Sequence, residues 1–300
     1  MRVAITGRHG QIARAVGERS AAAQAEIVTL ARPDVDLRHP AGVLAALRNA
    51  KADIVINAAA YTSVDLAESE LELARAINVT GAAAVAEAAR TLNLPMIYLS
   101  TDYVFDGGLD RPYREDDVPH PINQYGRSKL EGEKATAAAN SDHAILRTSW
   151  VYSPFGKNFL RNMLTAATSR KEVAVVADQI GVPTSAFDIA DGLLKVAHNL
   201  LAYPDSQKMR GIFHMTATGE ATWADFAQTI FATSAAAGGP SASVRRIPSS
   251  GYPTPAKRPQ NSRLDTAKLA RIHHVSLPSW QSGLRSCIDR LMCAEFDQKS

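Results

Sequence analysis

The stretch RVAITGRHGQIA, residues 2–13, joins a short apolar run to a glycine turn and the start of a helical pattern. The run 2–7 is typical of a strand buried on both faces of a sheet. Gly7 and Gly10 then let the backbone approach a ligand closely, and the unpaired N–H groups of the first helical turn can point at a pyrophosphate. Two glycines can also make no more than a tight turn, but a strand before them and a helix after them favour a dinucleotide site.

Strand and helix patterns alternate outward from this unit through the first half of the chain. Further strands are predicted at 26–31, 53–60, 95–101 and 144–152. Helical spacing rich in Ala, Glu, Lys and Leu is found at 11–23, 40–49, 64–92 and 125–139. Such alternation predicts right-handed βαβ units, and therefore an α/β fold built on a Rossmann-type doubly wound parallel sheet.

The pattern is less regular beyond residue 151. Strands are predicted at 173–178 and 211–216, helices at 186–201 and 222–236, and loops that cover a site at 238–259. We therefore predict a dinucleotide-binding domain at 1–150, completed by 186–203 and part of the C-terminal tail. Residues 151–300 would mainly form a smaller substrate-binding lobe.

Composition excludes several classes of protein. The chain has 300 residues, 46% hydrophobic and 21% charged, with a net charge of +3 and no charge blocks. Neither nucleic acid nor a membrane is an expected partner. Cys287 and Cys293 lie six residues apart in one helical pattern and are interpreted as free thiols, so a cytoplasmic location is predicted. The eight histidines have no metal-binding spacing, and no metal is expected.

The end of the second predicted strand bears on the choice of cofactor. An NAD-binding chain usually has an acid there for the ribose hydroxyls, whereas this chain has Arg32. A guanidinium can bind a 2′-phosphate with two hydrogen bonds. NADPH is therefore favoured, while NADH stays open because a solvated surface arginine explains the residue nearly as well.

A second candidate site combines the helix that contains Tyr125 and Lys129 with the end of the fourth strand. Residues four apart on a helix share a face, and a neighbouring ammonium lowers the pKa of a phenol, which can then donate a proton to a carbonyl oxygen. The carboxyl end of a parallel strand is where ligands bind, and it places Thr101 and Asp102 near the same oxygen. Turn capping at the strand end and a lysine packed beside a tyrosine are the simpler alternatives.

Seven segments resemble the extended short-chain dehydrogenase/reductase family, and within it the reductases of dTDP-4-keto-L-rhamnose. They are TGRHGQ (6–11), NAAAYTSVDLAE (57–68), LSTDYVFDG (99–107), PINQYGRSKLEGEK (121–134), ILRTSWVY (145–152), DQIGVPT (178–184) and YPTPAKRPQNSRLDT (252–266). The resemblance implies reduction of the C4 ketone of dTDP-4-dehydro-6-deoxy-L-mannose to dTDP-L-rhamnose with NAD(P)H. A homodimer is allowed by the same analogy.

The resemblance also implies roles for individual residues. Tyr125 would donate the proton, Lys129 would hold the nicotinamide ribose and lower the phenol pKa, and Thr101 would complete the triad. The cofactor-binding candidates, from the residues and the resemblance together, are Gly7, Gly10, Gln11, Ile12, Arg32, Asp36, Leu37, Ala60, Tyr61, Thr62, Tyr125 and Lys129. The substrate-binding candidates are Thr101, Asp102, Trp150, Arg258 and Asn261, the last two because the stretch from Lys257 to Arg263 is suited to binding a diphosphate. For Trp223 core packing is preferred.

Two departures and two alternatives accompany the resemblance. Ala13 replaces the third glycine of the turn, which affects only the closeness of helix and sheet. Relatives that assemble through a metal use an acid in the first helix, where this chain has Arg14, Ala15 and Val16, so no such metal is predicted.

The alternative functions are a ketoreductase or epimerase of another nucleotide sugar, or a regulatory subunit that resembles the methionine adenosyltransferase β subunit.

Overall fold

A computed structural model describes residues 1–297 and contains a central parallel sheet of six strands with helices on both faces. The strands are β1 (Arg2–Thr6), β2 (Glu26–Leu30), β3 (Ile54–Asn57), β4 (Met96–Thr101), β5 (His143–Thr148), β6 (Val151–Tyr152), β7 (Glu172–Val176), β8 (Ile180–Gly181), β9 (Thr184–Ser185), β10 (Gly211–His214), β11 (Ala221–Thr222) and β12 (Ser243–Ile247).

In the part of the chain that the structure describes, ten α-helices connect and cover these strands. They are α1 (Gln11–Arg19), α2 (Val43–Ala50), α3 (Leu71–Arg75), α4 (Ala82–Thr91), α5 (Gln124–Ala139), α6 (Phe159–Ala167), α7 (Ala186–Ala202), α8 (Trp223–Ala236), α9 (Ala267–His273) and α10 (Trp280–Asp297). Within residues 1–297, none of them combines the length and the apolar character needed to cross a membrane.

The central sheet confirms the predicted doubly wound topology. Its strand order is β10-β5-β4-β3-β1-β2, and every neighbouring pair is parallel. The chain moves from β1 to β2 on one side and then crosses from β2 to β3 on the other side of β1, so the direction of winding changes beside β1. Ligands of such sheets bind at this point, outside the carboxyl ends of the strands.

Alternate residues of each strand enter two separate cores. Val3 and Ile5 of β1 face the core covered by α1 and α7, whereas Ala4 faces the core covered by α2 and α4. Because both faces are apolar, the strands have the continuous hydrophobic pattern from which they were predicted. Their carboxyl ends are thereby fixed at one edge of the sheet.

Three predicted elements differ from the structure. The long helix predicted at 64–92 is divided into a 3₁₀ turn at Leu66–Glu68, α3, a π-helical segment at Ala76–Gly81 and α4. The strand predicted at 144–152 stops at Thr148, because Trp150 has a φ of 47° and turns the chain before β6. The region predicted as loops, 238–259, contains β12, which pairs in parallel with β7.

The small strand pairs all lie after residue 150. They are β6 with β9, β7 with β12, and β8 with β11. In contrast, α7 packs against α1 beneath the central sheet. The division into a domain at 1–150 and a lobe at 151–300 stays a prediction, and this arrangement of strands is compatible with it.

Candidate active site

A crevice of about 930 Å³ opens at the carboxyl edge of the sheet, beside the change of winding. It is lined by fourteen of the predicted site residues, namely Gly7, Gly10, Gln11, Ile12, Arg32, Asp36, Leu37, Ala60, Thr62, Thr101, Asp102, Tyr125, Lys129 and Trp150. The fold therefore brings together segments that are more than one hundred residues apart in sequence. Three of the predicted residues, Tyr61, Arg258 and Asn261, do not belong to this lining.

The glycine turn has the geometry of an anion site. Gly7 has a φ of 92°, which L side chains rarely adopt. Gly10 is extended and precedes α1, whose first turn receives no capping bond from any side chain within residues 1–297. Gln11, Ile12 and Ala13 of that turn line the crevice, and the first N–H groups of a helix have no partner within the helix, so they can bind an acceptor there. These residues fit the pyrophosphate of a dinucleotide.

Three arginines line the crevice. Arg8, Arg32 and Arg38 line it together with Asp36. The Arg38 side chain binds both oxygens of Asp36 and holds the pKa of that carboxyl well below its usual range. Arg32 is exposed and forms no ion pair in the part of the chain that the structure describes. A free guanidinium in the lining of the crevice fits a 2′-phosphate.

Tyr125 lies in the first turn of α5, and Asn123 fixes that turn. The Asn123 side-chain oxygen accepts a hydrogen bond of 2.7 Å from the Gly126 N–H, as an N-cap does. Burial raises the pKa of the Tyr125 phenol, the Asp102 charge raises it further, and a hydrogen bond with Thr101 opposes the rise. The phenol is therefore protonated at neutral pH and can donate its proton.

Lys129 lies one turn further along α5 and is 2% exposed. Its ammonium donates to the Tyr98 hydroxyl at 2.8 Å and to the Leu99 carbonyl at 2.7 Å. Burial lowers the pKa of Lys129 to about 7, and the Glu133 charge opposes this change. The pKa of Tyr125 is raised overall because burial of the phenol is the largest of the effects on it, and the lowering of that pKa by Lys129 stays a prediction.

Thr101 and Asp102 end β4 beside the phenol. The Thr101 hydroxyl donates to Asp102 Oδ1 at 3.0 Å and accepts from the Tyr103 N–H at 3.2 Å. Burial raises the pKa of Asp102 to about 7. Its Oδ2 is buried and has no partner of ordinary hydrogen-bond geometry among residues 1–297, while the Ser262 side chain opposes the rise in the carboxyl pKa. Turn capping thus accounts for the Thr101 side chain, whereas the Asp102 carboxyl, which takes no part in the cap, lines the crevice and can meet a polar ligand.

Two tryptophans form one apolar wall of the crevice. The rings of Trp150 and Trp223 stack at 3.5 Å between centroids, with an angle of 7° between their planes. A Cβ on Gly181 would lie 2.5 Å from the Trp150 ring, so the glycine makes room for the indole. Trp223 was interpreted as a core residue. It does pack against the core, but it also lines the crevice.

Protein groups bind the three predicted residues that lie outside the lining. Arg258 forms an ion pair with Asp65 at 2.8 Å. The Asn261 amide donates to the carbonyls of Leu109 and Arg111 at 2.7 and 2.8 Å, and the Tyr61 hydroxyl donates to a Glu70 oxygen at 2.6 Å. Their roles toward cofactor or substrate stay predictions, and none of these side chains is poised in the crevice.

Several residues that line the crevice were not among the site residues predicted from the sequence. The clearest are Arg8, Arg38 and Thr148. Thr148 ends β5, so the rule about carboxyl strand ends offered a signal for it. Arg8 lies between the two glycines, next to residues that were singled out. For Arg38 only its closeness to Asp36 was available as a signal.

Comparison with known proteins gives consistent results. A family model described as the RmlD substrate binding domain matches residues 1–293. A dTDP-4-dehydrorhamnose reductase of Sinorhizobium fredii is 48% identical over 292 residues, covering 97% of this chain and 98% of the relative. One from Escherichia coli is 43% identical over 258 residues, covering 85% of each chain.

Solved structures agree with the sequence relatives. The crystal structure of a dTDP-4-dehydrorhamnose reductase from Bacillus anthracis in complex with NADP has a TM-score of 0.88 at 34% identity, and the match covers 96% of this chain and 99% of that one. The family model spans nearly the whole chain, and the relatives are well above 30% identical over most of their length. The chain therefore belongs to the RmlD substrate binding domain family, within the extended short-chain dehydrogenases and reductases.

Proposed function

We propose that this chain is an NADPH-dependent reductase that converts dTDP-4-keto-L-rhamnose to dTDP-L-rhamnose. The observation that carries the proposal is the meeting of Thr101, Tyr125 and Lys129 in one crevice with the glycine turn of α1. Relatives named dTDP-4-dehydrorhamnose reductase support the choice of substrate, and the structure solved in complex with NADP supports the choice of cofactor.

The cofactor supplies a hydride for C4 of the sugar, and the chain positions it from both ends. The N–H groups after Gly10 bind the pyrophosphate, and Arg32 binds the 2′-phosphate. Lys129 holds the nicotinamide ribose with its ammonium. Ala60 and Thr62 line the groove between these ends.

The proton for the new hydroxyl comes from Tyr125. When the C4 carbon accepts the hydride, negative charge develops on O4, and the Tyr125 phenol donates its proton to that oxygen. The Thr101 hydroxyl, which donates to Asp102 Oδ1 in the structure, turns its single proton to the same sugar oxygen when the substrate binds and keeps that oxygen in line with the phenol. The Lys129 ammonium stabilises the phenolate that remains. One hydride and one proton are consumed for each ketone reduced.

The sugar is recognised by polar and aromatic groups at the same edge. Asp102 Oδ2 accepts a hydrogen bond from a sugar hydroxyl, and the exposed face of the Trp150–Trp223 stack covers the apolar side of the hexose. Because burial raises the pKa of Asp102 to about 7, substrate affinity should change with pH near neutrality.

The test is a spectrophotometric assay of NADPH oxidation with a panel of nucleotide keto-sugars. Oxidation should be fastest with dTDP-4-keto-L-rhamnose, with dTDP-L-rhamnose as the product. Faster turnover of another sugar would favour the wider ketoreductase or epimerase class. If no keto-sugar is reduced, the reductase assignment fails and a binding role is favoured instead.

The cofactor preference predicts an effect of Arg32→Ala. Loss of the guanidinium should raise the KM for NADPH by about ten- to a hundredfold, the range for a lost hydrogen bond to a charged group, while the KM for NADH stays within about twofold. Steady-state kinetics with both cofactors measure this. Arg90→Ala removes an exposed arginine at the end of α4 that does not line the crevice, and it is the matched control. Equal losses with both cofactors would contradict the role of Arg32.

Three further proposals concern the whole protein. We infer a two-lobed chain with the cofactor bound by 1–150 and the sugar nucleotide held mainly by 151–300. A homodimer and a cytoplasmic location complete the proposal. Light scattering coupled to size-exclusion chromatography tests the homodimer, and a measured mass equal to that of one chain would reject it.

A further inference from the structure

The ammonium of Lys129 is bound by buried hydrogen-bond acceptors that do not belong to the triad of Thr101, Tyr125 and Lys129. On the protein side, its two acceptors are the Tyr98 hydroxyl and the Leu99 carbonyl, both from β4. The ammonium also lies over the Tyr98 ring, 4.1 Å from its centroid. Among residues 1–297, Tyr98 is the side chain that hydrogen-bonds Lys129 Nζ.

The Tyr98 hydroxyl is itself fixed in place. Tyr98 is 1% exposed, and its hydroxyl donates to the Asn78 carbonyl at 3.3 Å. Asn78 belongs to the π-helical segment Ala76–Gly81, and its amide is bound to Tyr61 and Ser128. The Tyr98 oxygen therefore accepts a hydrogen bond from Lys129, while the Tyr98 proton is donated to the Asn78 carbonyl.

Gly132 makes this arrangement sterically possible. A Cβ at this position of α5 would lie 2.4 Å from the Tyr98 hydroxyl and 2.1 Å from the Asn78 carbonyl oxygen. Contacts this short do not occur for real side chains. The glycine lets α5 approach both groups, and Lys129, three residues earlier on the helix, thereby reaches β4.

The other ionisable groups around Lys129 do not bind its ammonium. Glu133 is on the same helix, but Arg147 of β5 binds both of its oxygens at 2.9 and 2.7 Å. Tyr125 of α5 has its phenol beside Thr101. No carboxylate forms an ion pair with Lys129 in the portion from residue 1 to 297. The charge of Glu133 acts on the ammonium only from a distance.

We propose that Tyr98 is a positioning residue for Lys129. The phenol oxygen of Tyr98 accepts a hydrogen bond from the Lys129 ammonium and holds this group, in its charged form, at the crevice. This inference rests on the proposed function, because it assumes that Lys129 binds the nicotinamide ribose and supports Tyr125. Tyr98 itself does not line the crevice, so it acts through Lys129.

Tyr98→Phe tests the proposal, since it removes the hydroxyl and keeps the ring. NADPH should bind about tenfold more weakly by fluorescence titration, and kcat should fall by about ten- to a hundredfold. The pKa of Lys129 should fall as well, because an acceptor of the charged form is lost. Activity that needs the ammonium is lost as pH rises through that pKa, so the alkaline limb of the pH profile should move to lower pH.

Tyr113→Phe is the matched control. Tyr113 is equally buried, stacks on Phe105 at 4.2 Å between centroids, and is not part of the crevice lining. Its variant should bind NADPH like the parent and keep the parent's pH profile. If Tyr98→Phe does not fold, 3-fluorotyrosine at position 98 keeps the shape and weakens the acceptor, and it should shift the same limb in the same direction.

The outcomes separate this proposal from the proposed function. Unchanged NADPH affinity and an unmoved alkaline limb in Tyr98→Phe would overturn the role of Tyr98, even in an enzyme that reduces the sugar. A loss of kcat without either change would indicate packing alone and would also overturn it. If the parent reduces no keto-sugar, the reductase assignment fails, yet the NADPH titrations still decide whether Tyr98 positions Lys129.

Discussion

The Tyr125→Phe variant should reduce dTDP-4-keto-L-rhamnose about a thousandfold more slowly than the parent at saturating NADPH and sugar, within the range of about 10²–10⁴ typical of a lost general acid. Burial raises the pKa of this phenol, so the group is protonated at neutral pH and its proton is available to O4. Phenylalanine keeps the edge-on contact with the Tyr103 ring, where the centroids lie 5.9 Å apart. The substitution thus removes the proton and little of the packing.

Binding measurements separate this chemical effect from a damaged site. The dissociation constant of NADPH should stay within about threefold of the parent value, because Lys129 and the glycine turn are untouched. The loss should appear in kcat and in kcat/KM alike, as for an interaction made only in the transition state. Turnover within tenfold of the parent would show that another group donates the proton.

Much of this site was predictable because its residues occupy positions that secondary structure fixes. Thr101 ends a strand and Tyr125 begins a helix, and parallel topology brings these two ends to one edge of the sheet. Lys129 follows Tyr125 by four residues and therefore faces the same side. Periods of 2 and 3.6 residues are local properties, and a sequence shows them directly.

Contacts between distant loops were not predictable in this way. Arg258 was expected at a diphosphate, but it binds Asp65, 193 residues earlier in the chain. Nothing in the spacing of either segment indicates that pair. Trp223 likewise reaches Trp150 only because α8 packs beside the crevice. Ion pairs and ring stacks of this kind depend on tertiary packing, which local periodicity does not encode.

The acid strength of Tyr125 was misjudged for a related reason. The sequence shows that an ammonium lies one turn away, but it does not show how deeply both groups are buried. Desolvation disfavours the charged forms of phenol and ammonium alike. In the structure it raises the pKa of Tyr125 and lowers that of Lys129 to about 7. Burial is therefore the largest cause of both pKa shifts, and the spacing of the two residues does not reveal it.

The buried ion pair beneath the site should give the largest effect on stability. Arg147 and Glu133 have side chains that are 1% and 3% exposed, and Ser100 donates a further hydrogen bond to Glu133. Arg147→Met leaves the carboxylate buried without its partner, and the free energy of unfolding should fall by about 3–5 kcal/mol. Urea denaturation followed by circular dichroism measures the change.

Two further variants decide whether the lost charge balance is the cause. Glu133→Gln combined with Arg147→Met removes both charges and should recover most of the stability, because no uncompensated ion remains in the core. Arg245→Met breaks an exposed pair with Glu172, whose side chains are 59% and 55% exposed, and should change stability by less than about 1 kcal/mol. If Arg147→Met is no more destabilising than Arg245→Met, the carboxylate of Glu133 does not depend on Arg147 for a partner. Arg147 would then not be the residue that holds Glu133 in place beneath Lys129.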